Sequence, residues 1–315
     1  MIGQVMLTLF AIIVVGYIAG KLGYMGGTFD KRLSKVVIDI TCPALILSSA
    51  MTGELPDRAY ILPLLGISAL TYVLLTGVAV FLPRFLTQKK DEEGVIGFAM
   101  MFGNVGFMGY PIVASIFGHE AIFYAAVLNV VNTFAVFTIG TMLIVGKKGN
   151  NQEPSEVEKE MSRRKMLRKA LYSTPMLSAY LTMLIVALEI TGIPTWISEP
   201  LTMIGNITVP AALLIIGSSM SQLPLRALLG NGTIYITTLM RLVVLPVAIH
   251  FLCKFLGFSD FVVGINTIVI AMPVATYGTI LCLRHGKDTT LITEVTFITT
   301  LLLMISIPLL VTWLL

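Results

Sequence analysis

The chain has 315 residues, of which 56% are hydrophobic and only 12% are charged, and its formal net charge is +4. Soluble chains carry about 45–50% apolar and about 25% charged residues, so a soluble globule of this composition could not cover its own surface. The same values exclude a disordered chain, a disulfide scaffold and a nucleic-acid binder. We therefore expect a protein whose partner is the lipid bilayer.

Ten apolar stretches are long enough to cross a hydrocarbon core about 30 Å thick, which needs roughly 20 residues per helix. Lipid offers no hydrogen bonds to the backbone, so closed helices are expected. The predicted fold class is an all-α polytopic membrane protein with ten transmembrane helices. The stretches, called spans 1 to 10, are 2–20, 33–52, 59–83, 94–117, 120–145, 170–191, 198–221, 231–257, 259–283 and 289–315.

Lysine and arginine fall almost entirely on one side of this arrangement. Eighteen of the 21 lie in or beside the connections after the odd-numbered spans; Arg58 and Lys254 lie on the other side, and Arg241 lies inside span 8. Because cytoplasmic loops carry the excess of these residues, we expect a multi-pass protein of the cell membrane with both termini outside. The connection 146–169 is then cytoplasmic, either as a solvated linker or as a regulatory loop.

Two short patterns recur between the halves of the chain. Residues 40–44, with Pro43, match residues 207–211, with Pro210, at an offset of 167. We interpret both prolines as helix breaks. A repeat of five spans must insert its second copy upside down, as in many secondary transporters. The sequence therefore predicts an inverted repeat whose halves are 1–145 and 170–315, joined by the linker.

The second pattern matches Asn104 and Pro111 in span 4 with Asn266 and Pro273 in span 9, at an offset of 162. Span 4 also carries Gly106 and Gly109 in mid-bilayer. Proline removes a backbone donor, and each glycine lowers helix preference by about 1 kcal/mol. We expect both helices to unwind near their middles and to line a cavity. Their half-helix N-termini would present positive dipole ends to an anion.

The predicted substrate-binding residues lie around these two breaks. Amide and hydroxyl side chains could donate hydrogen bonds to a carboxylate, and Arg241 could anchor an anion. The alternative for each side chain is ordinary packing, and for Arg241 it is a structural partner such as Asp39 or Glu294. The candidate residues are Asn104, Tyr110, Pro111, Asn266, Pro273, Thr276, Tyr277 and Arg241.

Two carboxylates are candidates for coupling transport to H⁺ or Na⁺. Asp39 lies within span 2, where a charge is costly and marks a functional hypothesis by default. Lys35 lies one helical turn earlier, so an ion pair that merely neutralises Asp39 is the alternative. Glu294 lies near the start of span 10, where an interfacial position competes with a role in proton transfer.

The chain resembles the auxin efflux carrier family, which includes plant auxin exporters and bacterial organic-acid permeases. The resemblance is carried by the Gly-Asn-x-Gly-Phe-x-Gly-x-Pro pattern at 103–111, the Pro-x-Ala-Thr pattern at 273–276 and the Arg-His-Gly-Lys-Asp turn at 284–288. The resemblance implies a small polar residue, such as asparagine, soon after the span 9 proline, and this chain departs from that pattern with Tyr277.

Membership implies ten spans in an inverted repeat of five, with a scaffold domain and a transport domain each drawn from both halves. It implies crossed broken helices at the site, a fold similar to bile-acid symporters and sodium/proton antiporters, and elevator-like alternating access. The implied substrate is a small organic anion, such as a dicarboxylate or an auxin-like indole acid.

The sequence favours a secondary transporter over other classes of protein. We predict no catalytic residues and no metal site, because neither an HExxH motif nor a Cys/His cluster is present. We expect no other cofactor, and no GxxxxGK[ST] loop indicates ATP drive. A channel or a transporter-like sensor is the alternative. Gly16 and Gly20 in span 1 could pack a partner helix of a homodimer, or a helix of the same chain.

Overall fold

The computed structural model describes residues 2–51, 55–145, 165, 168, 171–222, 232–285 and 287–314. The linker prediction for 146–169 therefore lies almost entirely outside the described residues. Within them the regular elements are all helices, and the single extended pairing is one antiparallel bridge. Each predicted span coincides with a helical segment, and five segments are long and apolar enough to cross a membrane: 58–86, 121–145, 195–221, 232–255 and 290–314.

Seventeen α-helices are described, and several join end to end within one span. They are α1 (Ile2–Lys21), α2 (Gly27–Val36), α3 (Cys42–Ser48), α4 (Ile61–Phe81), α5 (Pro83–Leu86), α6 (Lys90–Met101), α7 (Tyr110–Phe117), α8 (Ala121–Ala135), α9 (Thr141–Val145), α10 (Thr174–Ala187), α11 (Thr195–Asn206), α12 (Thr208–Ser221), α13 (Gly232–Leu239), α14 (Leu245–Phe255), α15 (Asp260–Ile270), α16 (Tyr277–Arg284) and α17 (Thr290–Leu314).

In three spans a π-helical turn ends two residues before a proline. A proline ring clashes with the carbonyl four residues earlier, and a π turn widens the helix at that place. The helix can then continue through the proline with a distortion. These turns are Val37–Thr41 before Pro43, Val105–Gly109 before Pro111 and Met240–Val244 before Pro246.

The prediction of full breaks at Pro43 and Pro210 is therefore wrong. Pro43 lies in a helix that runs from α2 through the π turn into α3. Pro210 lies in the first turn of α12, where a missing N–H costs nothing. Only Ile207 separates α11 from α12, and its dihedral angles are those of a right-handed helix. Spans 2 and 7 therefore stay helical through their prolines.

Helix α1 packs along α12 through small residues. A Cβ on Gly16 would overlap the Leu214 backbone, and a Cβ on Gly217 would overlap the Ile13 carbonyl. Gly20 faces Ser221 in the same way. Small residues allow helix backbones to approach closely in lipid. Gly16 and Gly20 thus serve a contact within the chain.

Replacing Gly217 with leucine should strongly reduce the amount of folded protein. The new side chain must separate α1 from α12, and overpacking of this kind costs roughly 1–3 kcal/mol. Fluorescence-detected size exclusion and thermal unfolding in detergent measure the effect. Gly77→Leu is the matched control, because a Cβ at Gly77 meets nothing within 4 Å. Equal behaviour of the two variants would contradict the described packing.

The helices form two packed groups. In the first, which we call the α1/α12 group, α1 and α2 pack on α12, and α3 packs on α10 and α11. In the second, the crossing group, α4 packs on α6 and α8, and α15 packs on α4, α8 and α14. A narrow apolar cleft lies between the groups. Its lining includes Leu9 and Leu213 on one side and Phe107, Pro111 and Leu303 on the other.

Candidate functional site: the crossing of two broken helices

Spans 4 and 9 are each interrupted, and the two breaks contact each other. The predicted helix-break residues Gly106 and Gly109 lie not in the interruption of span 4 but in the π turn Val105–Gly109 that follows it. Span 4 is interrupted at 102–104, between α6 and the following π turn, and span 9 at 271–276, between α15 and α16. The Asn104 N–H donates to the Pro273 carbonyl at 2.8 Å, and the Ala275 N–H donates to the Phe102 carbonyl at 3.0 Å. An antiparallel bridge thus joins the breaks and satisfies backbone groups that both helices leave open.

The sequence match at an offset of 162 does not align these breaks. Asn104 lies in its break, but Asn266 lies inside α15, where it is buried and donates to Thr71 Oγ1 at 3.1 Å. Pro273 lies in its break, but Pro111 lies beyond the other one, in the first turn of α7. Pro111 is buried and lines the apolar cleft. The described positions therefore put Asn266 and Pro111 away from the crossing.

Arg241 forms hydrogen bonds to both broken helices where they cross. Its side chain is 1% exposed, and all its hydrogen bonds go to backbone carbonyls. Nε donates to Met272 at 2.9 Å, and Nη1 donates to Met100 and Met101 at 3.2 Å each. These are carbonyls of the span 9 break and of the C-terminal end of α6. The alternative in which Arg241 pairs with Asp39 or Glu294 is wrong, since its described hydrogen bonds go to carbonyls and include no carboxylate.

Two further residues shape the crossing at close range. A Cβ on Gly103 would overlap Arg241 Nη2, so only glycine lets the guanidinium reach this place. Thr299 of α17 accepts a hydrogen bond from the Val274 N–H at 3.2 Å and is fully buried. Both side chains that bond to the breaks come from outside the broken helices: the π turn between α13 and α14 supplies Arg241, and α17 supplies Thr299.

Tyr110 belongs to a buried polar chain and does not face solvent. Asn129 Nδ2 donates to Tyr110 Oη at 2.9 Å, Asn132 Nδ2 donates to Asn129 Oδ1 at 2.9 Å, and Tyr72 Oη donates to Asn132 Oδ1 at 2.6 Å. The chain ties α7 to α8 and α4. Its members are buried and satisfied, so it rigidifies this part of the crossing group.

The accessible residues of the crossing lie on the other side of the breaks. Asn104 and Gly106 are partly exposed, and Thr276 and Tyr277 are exposed. A Cβ added at Gly106 meets nothing within 4 Å, so open space adjoins the start of the second half of span 4. Asp39 of span 2 is also exposed and lies near enough to Tyr277 to act on it electrostatically. We call these five residues the crossing opening.

Asp39 contributes to the opening from the α1/α12 group. It lies in the π turn of span 2, and Thr174 Oγ1 of α10 donates to its carboxylate at 3.4 Å. The expected ion pair with Lys35 is not formed, although both residues are described. Glu294 is partly buried in the second turn of α17, again without an ion pair among the described residues. Asp39 therefore has an exposed carboxylate that no described cation neutralises.

At the far end of span 4, polar contacts join the two groups. Ser48 Oγ of α3 lies 3.1 Å from His119 Nε2, and burial lowers the pKa of the His119 imidazole. Arg58 forms an ion pair of 3.3 Å with Glu189 in the loop after α10. His119 is thus neutral near pH 7, and both contacts would have to break if the groups moved apart at this end.

The whole chain matches a known family. Residues 1–311 match the model described as "Membrane transport protein". The chain belongs to this family, and it is the auxin efflux carrier family that the sequence motifs indicate. It is therefore a membrane transporter.

Three relatives are also named as transporters. An "Uncharacterized transporter" of Methanothermobacter thermautotrophicus is 25% identical over 314 residues, covering 97% of this chain and 96% of the relative. A second, of Methanocaldococcus jannaschii, is 25% identical over 94% of each chain. A "Putative malonate transporter" of Rhizobium meliloti is 26% identical over 171 residues, covering 53% of this chain and 52% of the relative.

Proposed function

We propose that the protein is a secondary active transporter of a small organic anion and that the substrate binds at the crossing opening. The observation that carries this proposal is the paired break. Irregular backbone at membrane depth is stable only where protein or a water-filled cavity surrounds it. Here the two breaks satisfy each other on one side and adjoin open space at Gly106 on the other.

The chemistry of the opening supports an anion. The second halves of spans 4 and 9 begin there, and helix N-termini carry about half a positive charge with free N–H donors. Asn104, Thr276 and Tyr277 add amide and hydroxyl donors. A carboxylate satisfies both kinds of group, and one relative is named for malonate, a small dicarboxylate. Malonate is therefore the first substrate to test.

The transport step that we propose is an elevator-like movement of the crossing group against the α1/α12 group. The cleft between the groups is lined by apolar side chains, which can slide without breaking hydrogen bonds. At the outer end the contacts that must break are few, including Ser48 with His119 and Arg58 with Glu189. Exposed ion pairs are worth about 0–1 kcal/mol, so this end can open at low cost.

We also propose that the two groups arise from an inverted repeat of halves 1–145 and 170–315. Thr41 and Thr208 are equivalent at the offset of 167, and Thr208 Oγ1 donates to Thr41 Oγ1 at 2.9 Å. Residues near a pseudo-twofold axis meet their own repeat mates in this way. The two breaks, one from each half, also pair with each other in antiparallel directions.

The test is transport by purified protein in liposomes, recorded as charge movement on a supported membrane. The panel is malonate, malate, succinate, lactate and indole acetate, each with and without a sodium or pH gradient. A saturable transient for one acid supports a carrier and names its substrate class. Steady currents far above carrier turnover indicate a channel, and silence from folded protein contradicts the proposal.

Asp39→Asn should remove any dependence of transport on H⁺ or Na⁺. The carboxylate adjoins an anion site, so its charge opposes anion binding until a cation or proton neutralises it. The same liposome assay with and without each gradient measures this dependence. Glu294→Gln is the comparison, since Glu294 is the other coupling candidate and lies on a different helix, α17. If ion dependence survives Asp39→Asn but not Glu294→Gln, the coupling role belongs to Glu294.

A further inference from the structure

We infer that Arg241 is a positioning residue, which fastens the break of span 4 to the break of span 9 without touching the substrate. The inference rests on the proposed function, because it concerns the site that moves during transport. The guanidinium is buried and its bonds divide between two helices: Met100 and Met101 on α6, and Met272 in the break of span 9. No other described side chain bonds to both breaks.

The charge of Arg241 explains why an arginine lies here. A helix C-terminus carries about half a negative charge, so the ends of α6 and α15 together carry roughly one unit. Arg241 donates to carbonyls at both ends, Met100 and Met101 of α6 and Met272 just after α15. Lysine keeps the charge but is a point donor, whereas the planar guanidinium can contact both helices at once.

Gly103 leaves the space that the Arg241 guanidinium occupies. It lies in the break of span 4, and a Cβ there would overlap Arg241 Nη2. Lysine has no atom equivalent to Nη2. The harm done by Gly103→Ala should therefore depend on which residue occupies position 241, and this dependence distinguishes a specific contact from a general need for glycine in the break.

The test is a double-mutant cycle on the full-length protein, with wild type, Gly103→Ala, Arg241→Lys and the double variant. Thermal unfolding midpoints and malonate transport per folded molecule are measured for each. In the wild-type background, Gly103→Ala should lower the midpoint and reduce transport at least about tenfold, the effect of 1.4 kcal/mol. In the Arg241→Lys background, the same change should reduce transport less than about threefold, because the tight contact left to the new Cβ is with Met272 at 3.1 Å. Gly77→Ala is the control substitution.

Equal effects of Gly103→Ala in the two backgrounds would overturn the inference. If Gly103→Ala alone gives no folded protein, recovery of folded protein in the double variant supports it, and failure to recover contradicts it. A positioning role also predicts that Arg241→Lys lowers the maximal rate and leaves the KM for malonate within about twofold. A raised KM at an unchanged rate would make Arg241 a binding residue instead. A wild type inactive on the whole acid panel contradicts the proposed function, and the thermal cycle then still decides whether Arg241 and Gly103 are coupled.

Discussion

Pro273→Ala should reduce turnover at least about tenfold while the protein stays folded and membrane-inserted, because two hydrogen bonds worth about 1 kcal/mol each depend on the break. Proline denies its own residue an N–H and biases the preceding Met272 away from helical angles. Alanine lets α15 and α16 join into one helix. The Met272 and Pro273 carbonyls would then turn away from Arg241 and from the Asn104 N–H.

Initial rates of malonate uptake, normalised to folded protein, measure this effect. Pro200→Ala is the matched control, because Pro200 is exposed inside α11 and far in sequence from both breaks. Pro111→Ala should have a smaller effect than Pro273→Ala, since Pro111 lies in the first turn of α7, where proline is well tolerated. Near-normal transport by Pro273→Ala would show that the break does not depend on its proline, and would remove the main support for the proposed site.

Gly106→Phe should abolish transport without unfolding the protein. A Cβ at Gly106 meets nothing within 4 Å, so the new side chain starts into open space at the crossing opening. There it would occupy volume that the proposed substrate site needs. The expected result is a folded protein with less than about a tenth of wild-type uptake, which corresponds to more than 1.4 kcal/mol.

Gly77→Phe controls for the introduction of a large ring into a span, because a Cβ at Gly77 also meets nothing within 4 Å. Both variants should match the wild type in folded yield and unfolding midpoint. If Gly106→Phe transports malonate as well as Gly77→Phe does, the opening is not on the substrate path, even if the protein is a carrier.

The positions of the helices could be predicted from the sequence, since each depends on an apolar length that is read along the chain. The two breaks could be predicted for the same reason: glycine and proline act locally. The way in which the two breaks correspond to each other could not be predicted. Pro273 lies inside the break of span 9, whereas Pro111 lies beyond the break of span 4. The sequence match therefore paired two prolines that are not structurally equivalent.

The site residues were harder to predict because their partners are mostly backbone. Arg241 stood out as an intramembrane charge, but its partners are carbonyls, which carry no side-chain signature. Asn129 and Asn132 were missed, although two amides three residues apart in an apolar span are a detectable signal. Thr41 and Thr208 were present in the repeat match, yet only the fold shows that they touch.

The most direct test of the central claim is substrate protection of a cysteine at the crossing opening. Gly106→Cys is introduced after Cys42, Cys253 and Cys282 are replaced, and labelling by a membrane-impermeant thiol reagent is followed in liposomes with and without saturating malonate. The account predicts that malonate slows labelling at Gly106→Cys and leaves a Gly77→Cys control unchanged. Labelling at Gly106→Cys that no acid of the panel slows, in protein that transports one of them, would contradict the proposed site.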